Sequence, residues 1–144
     1  MNHAYHRLVG ATATATVGLL YLIVPMAVQA QSLQMTVKIP FEFYAGEQKF
    51  PAGDYKIMQQ SIAGGSALLI LGENKSRQLV TTPTTNPHTD RNTSIIFNKY
   101  AGDMFLAEAH WRGVDIGRKF LMSSLELALA KRITPERVVA GGNP

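Results

Sequence analysis

His88, Asp90 and His110 are the side chains that could share a metal ion, and Gly64-Gly65-Ser66 is the one place to look for a serine nucleophile. Neither set has the spacing its chemistry requires. Metal sites usually show ligand pairs held on one element, as in HxH, HExxH or paired cysteines, and no such pair fixes the geometry of these three. A nucleophilic serine needs a strained turn such as GxSxG, with a histidine and a carboxylate to take its proton. Ser66 lacks that context, and a loop histidine plus a solvent-side strand histidine is the simpler reading of His88 and His110. Asp54, Asp103 and Asp115 each stand beside a glycine-containing turn, where a carboxylate caps backbone and is poorly placed for paired acid–base work. Glycines 64, 65, 102, 113 and 117 fall between expected strands and open no helix, so no phosphate loop is indicated. No catalytic residue, metal or cofactor is expected.

One constellation remains: His110-Trp111-Arg112, with Tyr100 on the neighbouring strand and Arg118 after the next turn. If Trp111 and Arg118 face the mouth of a barrel, they offer an apolar plate and a rigid forked donor. That pair, with Tyr100 and His110 in the same cluster, suits an organic anion, a sugar acid or a lipid headgroup. The competing reading puts Phe105, Ala107, Ala109 and Trp111 on one core face, with Arg118 covering the open end or capping carbonyls. A lone tryptophan on a strand favours the second.

The elements that would position these residues follow from periodicity. Met35, Val37, Ile39, Phe41 and Phe43 alternate with polar neighbours, the period of a strand with one face in a core; Pro40 on its polar face suggests an edge or a bulge. Pro51-Ala52-Gly53 sets φ at the proline and implies a positive φ at Gly53. Strands are expected over 54–60, 67–71, 78–82, 94–100, 104–111 and 118–121, with the 94–111 hairpin turning at Ala101-Gly102-Asp103. The stretch Pro83–Asn92 is too proline-rich and polar to be regular. Ser123-Ser124-Leu125-Glu126 forms a capping box ahead of a helix of about three turns, with Leu121, Leu125, Ala128 and Leu129 as its apolar stripe and Lys131 and Arg132 at its carbonyl end. The fold class is all-β: a small antiparallel barrel or sandwich of six to seven short strands with one C-terminal amphipathic helix.

The first residues look like an export signal: His3, His6 and Arg7, then the apolar run Val17–Val28, then small residues before Gln31. Residues 1–30 are expected to be cleaved; a retained anchor would need about 20 apolar residues. Residues 31–122 form the β domain, and 123–144 its helix and a frayed tail. Arg7 lies in the leader, so 13 basic against 10 acidic residues leave the mature chain at +3, with the cations dispersed and no run that would favour nucleic acid. With no cysteine, packing alone must hold an exported domain together. The expected location is periplasmic or extracellular.

"PFEFYAGEQKFPAGDYKI", "IIFNKYAGDMFLAEAHW" and "GRKFLMSSLELALA" together make the chain resemble a family of short, exported, uncharacterised bacterial proteins. That family shows a PFxFxxGxxxxPAGxY opening, an FxxYGDxYFL-like hairpin, a GR dipeptide and a C-terminal helix. Ala101, intervening between Tyr100 and Gly102, departs from the family's hairpin, as do Phe120-Leu121 from its usual charged residue and leucine. The resemblance implies export and carries no activity or ligand. The expected function is therefore a non-enzymatic, envelope-associated structural or interaction protein. The alternative is a periplasmic carrier or sensor of a small apolar or anionic ligand, with a hydrolase third. Partners are an envelope protein or a small organic ligand, with no nucleic acid, and with the membrane only through an uncleaved signal.

Overall fold

The computed structural model describes residues 32–85 and 92–143. The expected leader, His88 and Asp90 lie outside the described residues. Starting from β1 (Gln34–Ile39), each strand pairs antiparallel with the next through β4 (Gly53–Ile62), β5 (Gly65–Leu71), β6 (Ser76–Thr85) and β9 (Ile116–Phe120). The ring continues through β8 (Asp103–His110), β7 (Ser94–Tyr100) and β10 (Glu136–Asn143), which returns to β1. Eight strands thus close an antiparallel barrel. A short hairpin, β2 (Phe43–Ala45) and β3 (Gln48–Phe50), is attached to β8 by one parallel pairing, Tyr44 with Phe105. The described residues hold ten strands, not six or seven.

The expected alternation holds where the barrel wall is regular. Met35, Val37 and Ile39 of β1 are buried while Gln34, Thr36 and Lys38 are exposed. Tyr55 and Ile57, Leu68 and Ile70, and Ile95 and Phe97 continue the inner face around the ring. Pro40 supplies no N–H, and β1 stops before it. The break turns Phe41 and Phe43 away from the strand line and across one end of the barrel. There Phe43 stacks on Phe50 at 5.5 Å and meets Tyr55 and Phe97 edge-on at 5.1 and 5.5 Å, while Phe41 meets Phe97 at 5.0 Å. The conspicuous aromatic stretch is therefore a plug. Tyr55 also donates its hydroxyl to the carbonyl of Pro51, which ties the PAG turn to the ring buried behind it.

Gly53 does not take the expected positive φ; it begins β4 opposite Ile39. Positive φ falls on Gly46 and on the β4–β5 turn at Gly64, and also on Ala101, at 54°. An alanine there places Cβ against its own carbonyl at a cost of about 1–2 kcal/mol, part of which glycine would give back as unfolded-state entropy. Ala101→Gly is thus expected to stabilise the fold by about 0.5–1 kcal/mol. A urea midpoint that stays put or falls would show that this turn stores no strain.

β6 runs through Pro83 to Thr85, into the stretch expected to be irregular. β5 does not extend opposite Pro83, where β6 pairs only with β9, so the proline sits where the strand has a neighbour on one side only, the usual place for proline in a sheet. The larger correction is β10. The tail expected to fray instead fills the gap between β7 and β1, with Val138 opposite Phe97, Ala140 opposite Ile95 and Gly142 opposite Val37.

Helix α1 (Ser124–Ala130) is seven residues, about two turns and not three. Ser123 is its N-cap and accepts from the Glu126 N–H at 3.2 Å. The Glu126 carboxylate, expected to complete the capping box, turns onto the sheet instead. The apolar stripe is also reversed: Leu121, Leu125 and Leu127 are 60, 42 and 49% exposed, while Glu126 is 3% exposed and the only buried residue of the helix.

Candidate binding site at the unplugged end of the barrel

The end of the barrel opposite the aromatic plug is formed by the starts of β1, β5, β7 and β9 and the ends of β4, β6, β8 and β10. Side chains on one barrel face alternate, so register places polar residues on its inner wall. Gln59 follows Tyr55 and Ile57 on the inner face of β4 and pairs with the buried Leu68; Ser66 lies two residues from Leu68 and pairs with the buried Thr81. Thr81 in turn pairs with the buried Phe120, and two residues on Arg118 pairs with Pro83 on one side and Ala109 on the other. Gln59, Ser66, Thr81 and Arg118 therefore step across four neighbouring strands.

This band is short of partners. Thr81 Oγ1 donates to the Ser66 carbonyl at 3.3 Å. Gln59 Oε1, Ser66 Oγ and Arg118 Nε are each buried without a hydrogen-bond partner. Buried polar atoms are nearly always paired, so three on adjoining positions mark this wall as unusual. Trp111 directly follows β8, two residues beyond the Ala109 that pairs with Arg118, and it is 3% exposed within the apolar core. An open cleft of about 390 Å³ lies alongside, between the end of β6 and the start of β9, lined by Pro83, Thr84, Thr85 and Ile116.

Of the four residues singled out in the sequence, Trp111 and Arg118 share this end of the barrel. Tyr100 sits at the plugged end, edge-on to Phe105 at 5.7 Å, with its hydroxyl 3.4 Å from Glu126 Oε1. His110 points to the outer wall. It is nonetheless 5% exposed, because Gly117 of β9 packs on its ring and Glu108 Oε2 lies 2.8 Å from its Nε2. Glu108 also holds Arg137 of β10 at 3.0 Å. Burial alone would push the Glu108 carboxyl up, but the hydrogen bonds and charges of His110 and Arg137 outweigh it and hold the group below its ordinary value. This outer cluster therefore clasps β8 to β10 most firmly once Glu108 is ionised, and loses that contribution in acid. Among the described residues no three acidic or histidine side chains are placed to hold a metal ion.

The second buried carboxyl behaves oppositely. Burial pushes Glu126 above its ordinary value, only partly offset by the hydrogen bonds from Asn98 Nδ2 at 2.9 Å and Tyr100 and by the charge of Lys119. A carboxyl whose folded-state value is raised binds its proton more tightly in the folded chain. Stability is lost as pH rises from the ordinary carboxylate value through the raised one. Glu126→Gln keeps a hydrogen-bonding oxygen for Asn98 and removes the ionisation. The variant should gain on the wild type as pH is raised from 4 to 7, read as the difference between their urea midpoints; a constant difference would show that Glu126 does not titrate in that window.

Gln59 and Glu108 carried no recognised motif; Ser66 was weighed only as a nucleophile, and Gly117 only as a turn residue and as part of the GR dipeptide. Extending the Tyr55–Ile57 alternation by two would have placed Gln59 on the core face. No protein-family model, no curated protein and no solved structure matches this chain.

Proposed function

We propose that this protein is a non-enzymatic, exported β-barrel that acts through its surface, as a structural or interaction module of the periplasmic or extracellular side of the envelope. The observation that carries the reading is the orientation of helix α1. An amphipathic helix that only completed a core would bury its leucines. This one is anchored by Glu126 on the sheet and by Glu47, whose Oε1 accepts from both the N–H and the hydroxyl of Ser124 at 2.7 and 2.8 Å. Leu121, Leu125 and Leu127 are left facing solvent. The middle of the barrel is filled by Val37, Ile57, Leu68, Ile70, Ile95 and Phe97, all at most 1% exposed, which argues against a carrier with a deep interior cavity. A closed ring also leaves no long strand edge for pairing, since among the described strands only the three-residue β3 ends the sheet.

The test compares wild type with the double variant Leu125→Glu/Leu127→Glu, each recovered from the envelope fraction and sized by native mass spectrometry. Wild type should run in a larger assembly and the variant as a monomer with unchanged thermal stability. A wild-type monomer would reject the reading, as would a variant assembly of the same size.

A further inference from the structure

We propose that the unplugged end of the barrel binds a small hydroxylated carboxylate, of the sugar-acid class, with Arg118 as its carboxylate anchor. The site is separate from the helix face on which the interaction reading rests. Its central observation is a cation without a counter-ion. Arg118 is partly buried on the inner wall, and among the described residues no carboxylate lies within salt-bridge distance of it. Its Nε lies buried and unpaired. Taking a guanidinium out of water is costly unless it is paired, and its planar fork matches a carboxylate through two parallel hydrogen bonds.

The neighbouring orphan atoms narrow the ligand class. Gln59 Oε1 can only accept, and Ser66 Oγ can donate or accept. A bare oxyanion such as sulfate would answer Arg118 with acceptors but has no proton to donate to Gln59. A carboxylate that also bears hydroxyl groups offers acceptors to Arg118 and donors to Gln59 and Ser66. Depth is limited because Leu68 and Ile70, next along β5, are fully buried in the core. The ligand is therefore small and lies at the mouth, beside the cleft between Pro83 and Ile116. Orphan atoms covered by neighbouring side chains become reachable only if the mouth side chains shift on binding, a local adjustment of the kind that accompanies many ligands.

The test uses the full mature chain, galacturonate as probe, and galactose and sulfate as comparators. Two readouts are followed: fluorescence of Trp111, the single tryptophan, and the side-chain Nε–H resonance of Arg118. Galacturonate should shift the Arg118 resonance saturably and bind roughly tenfold or more tightly than galactose or sulfate. Arg118→Gln should weaken it by a similar factor, with Arg118→Lys between the two because it keeps the charge and loses the fork. The resonance needs no variant, so the proposal stays testable if Arg118→Gln folds poorly. No shift at about 10 mM galacturonate would overturn the proposal. So would equal affinity for galactose, or sulfate binding as tightly, which would reduce the site to a general anion contact.

Discussion

Gly117→Ala should destabilise the protein by about 3 kcal/mol, far more than one methyl group ordinarily costs, because nothing around position 117 can yield cheaply. A Cβ there would fall 2.4 Å from His110 Nδ1, 2.6 Å from His110 Cε1 and 2.9 Å from the carbonyl oxygen of Ala109. The imidazole is enclosed and its Nε2 is engaged by Glu108. β9 is held on both sides, by β6 and by β8, so its backbone cannot retreat without opening the contact that closes the ring. Either the ring leaves its carboxylate or the β8–β9 closure parts. A double-mutant cycle distinguishes this from a general intolerance of β9. In a His110→Ala background two of the three close contacts vanish, and Gly117→Ala should cost at least about 1 kcal/mol less. Additive urea-denaturation energies would mean that His110 is not what excludes a side chain at 117.

The second large effect is expected at the plug. Phe43→Ala should cost about 3–5 kcal/mol, as truncating a fully buried phenylalanine does where the surroundings cannot collapse. Its ring touches Phe50, Tyr55 and Phe97, which come from three other strands, so the cavity would open where β3, β4 and β7 meet. Tyr44 is the internal control: one residue away, half-buried, it stacks on Phe105, on the outside of the barrel, at 4.9 Å, with Lys49 Nζ 5.7 Å from its ring centre. Tyr44→Ala should cost about 1 kcal/mol. Similar losses at 43 and 44, in chemical unfolding of the two variants, would mean that the plug is not a distinct packing unit.

Local chemistry made several elements legible. The Ser94–Tyr100 and Asp103–His110 pair was readable because a two-residue turn separates two apolar runs, and a hairpin needs no information from elsewhere in the chain. The Ser123 cap was readable for the same reason, since its hydroxyl reaches a backbone N–H three residues on. The other half of that box failed because Glu126 had a better offer than its own backbone: Asn98 and Tyr100, presented by β7. At the barrel mouth Trp111 and Arg118 were recognisable by type. Gln59 was passed over, and Ser66 was weighed only as a nucleophile, because each is an ordinary polar residue until register turns it inward.

The sequence by itself determined the all-β class, the alternating faces of β1, and the start of the helix, since each rests on contacts between near neighbours. Tertiary structure alone decided that the wall is a closed eight-strand ring, that the tail is one of its staves, and that the helix faces its carboxylate inward and its leucines outward. β10 shows why. Glu136–Asn143 contains two glycines and little apolar surface, so its own propensity favours no strand. It becomes one because β7 and β1 each present an unpaired edge to it, and satisfying those backbone groups inside a closed barrel outweighs local preference.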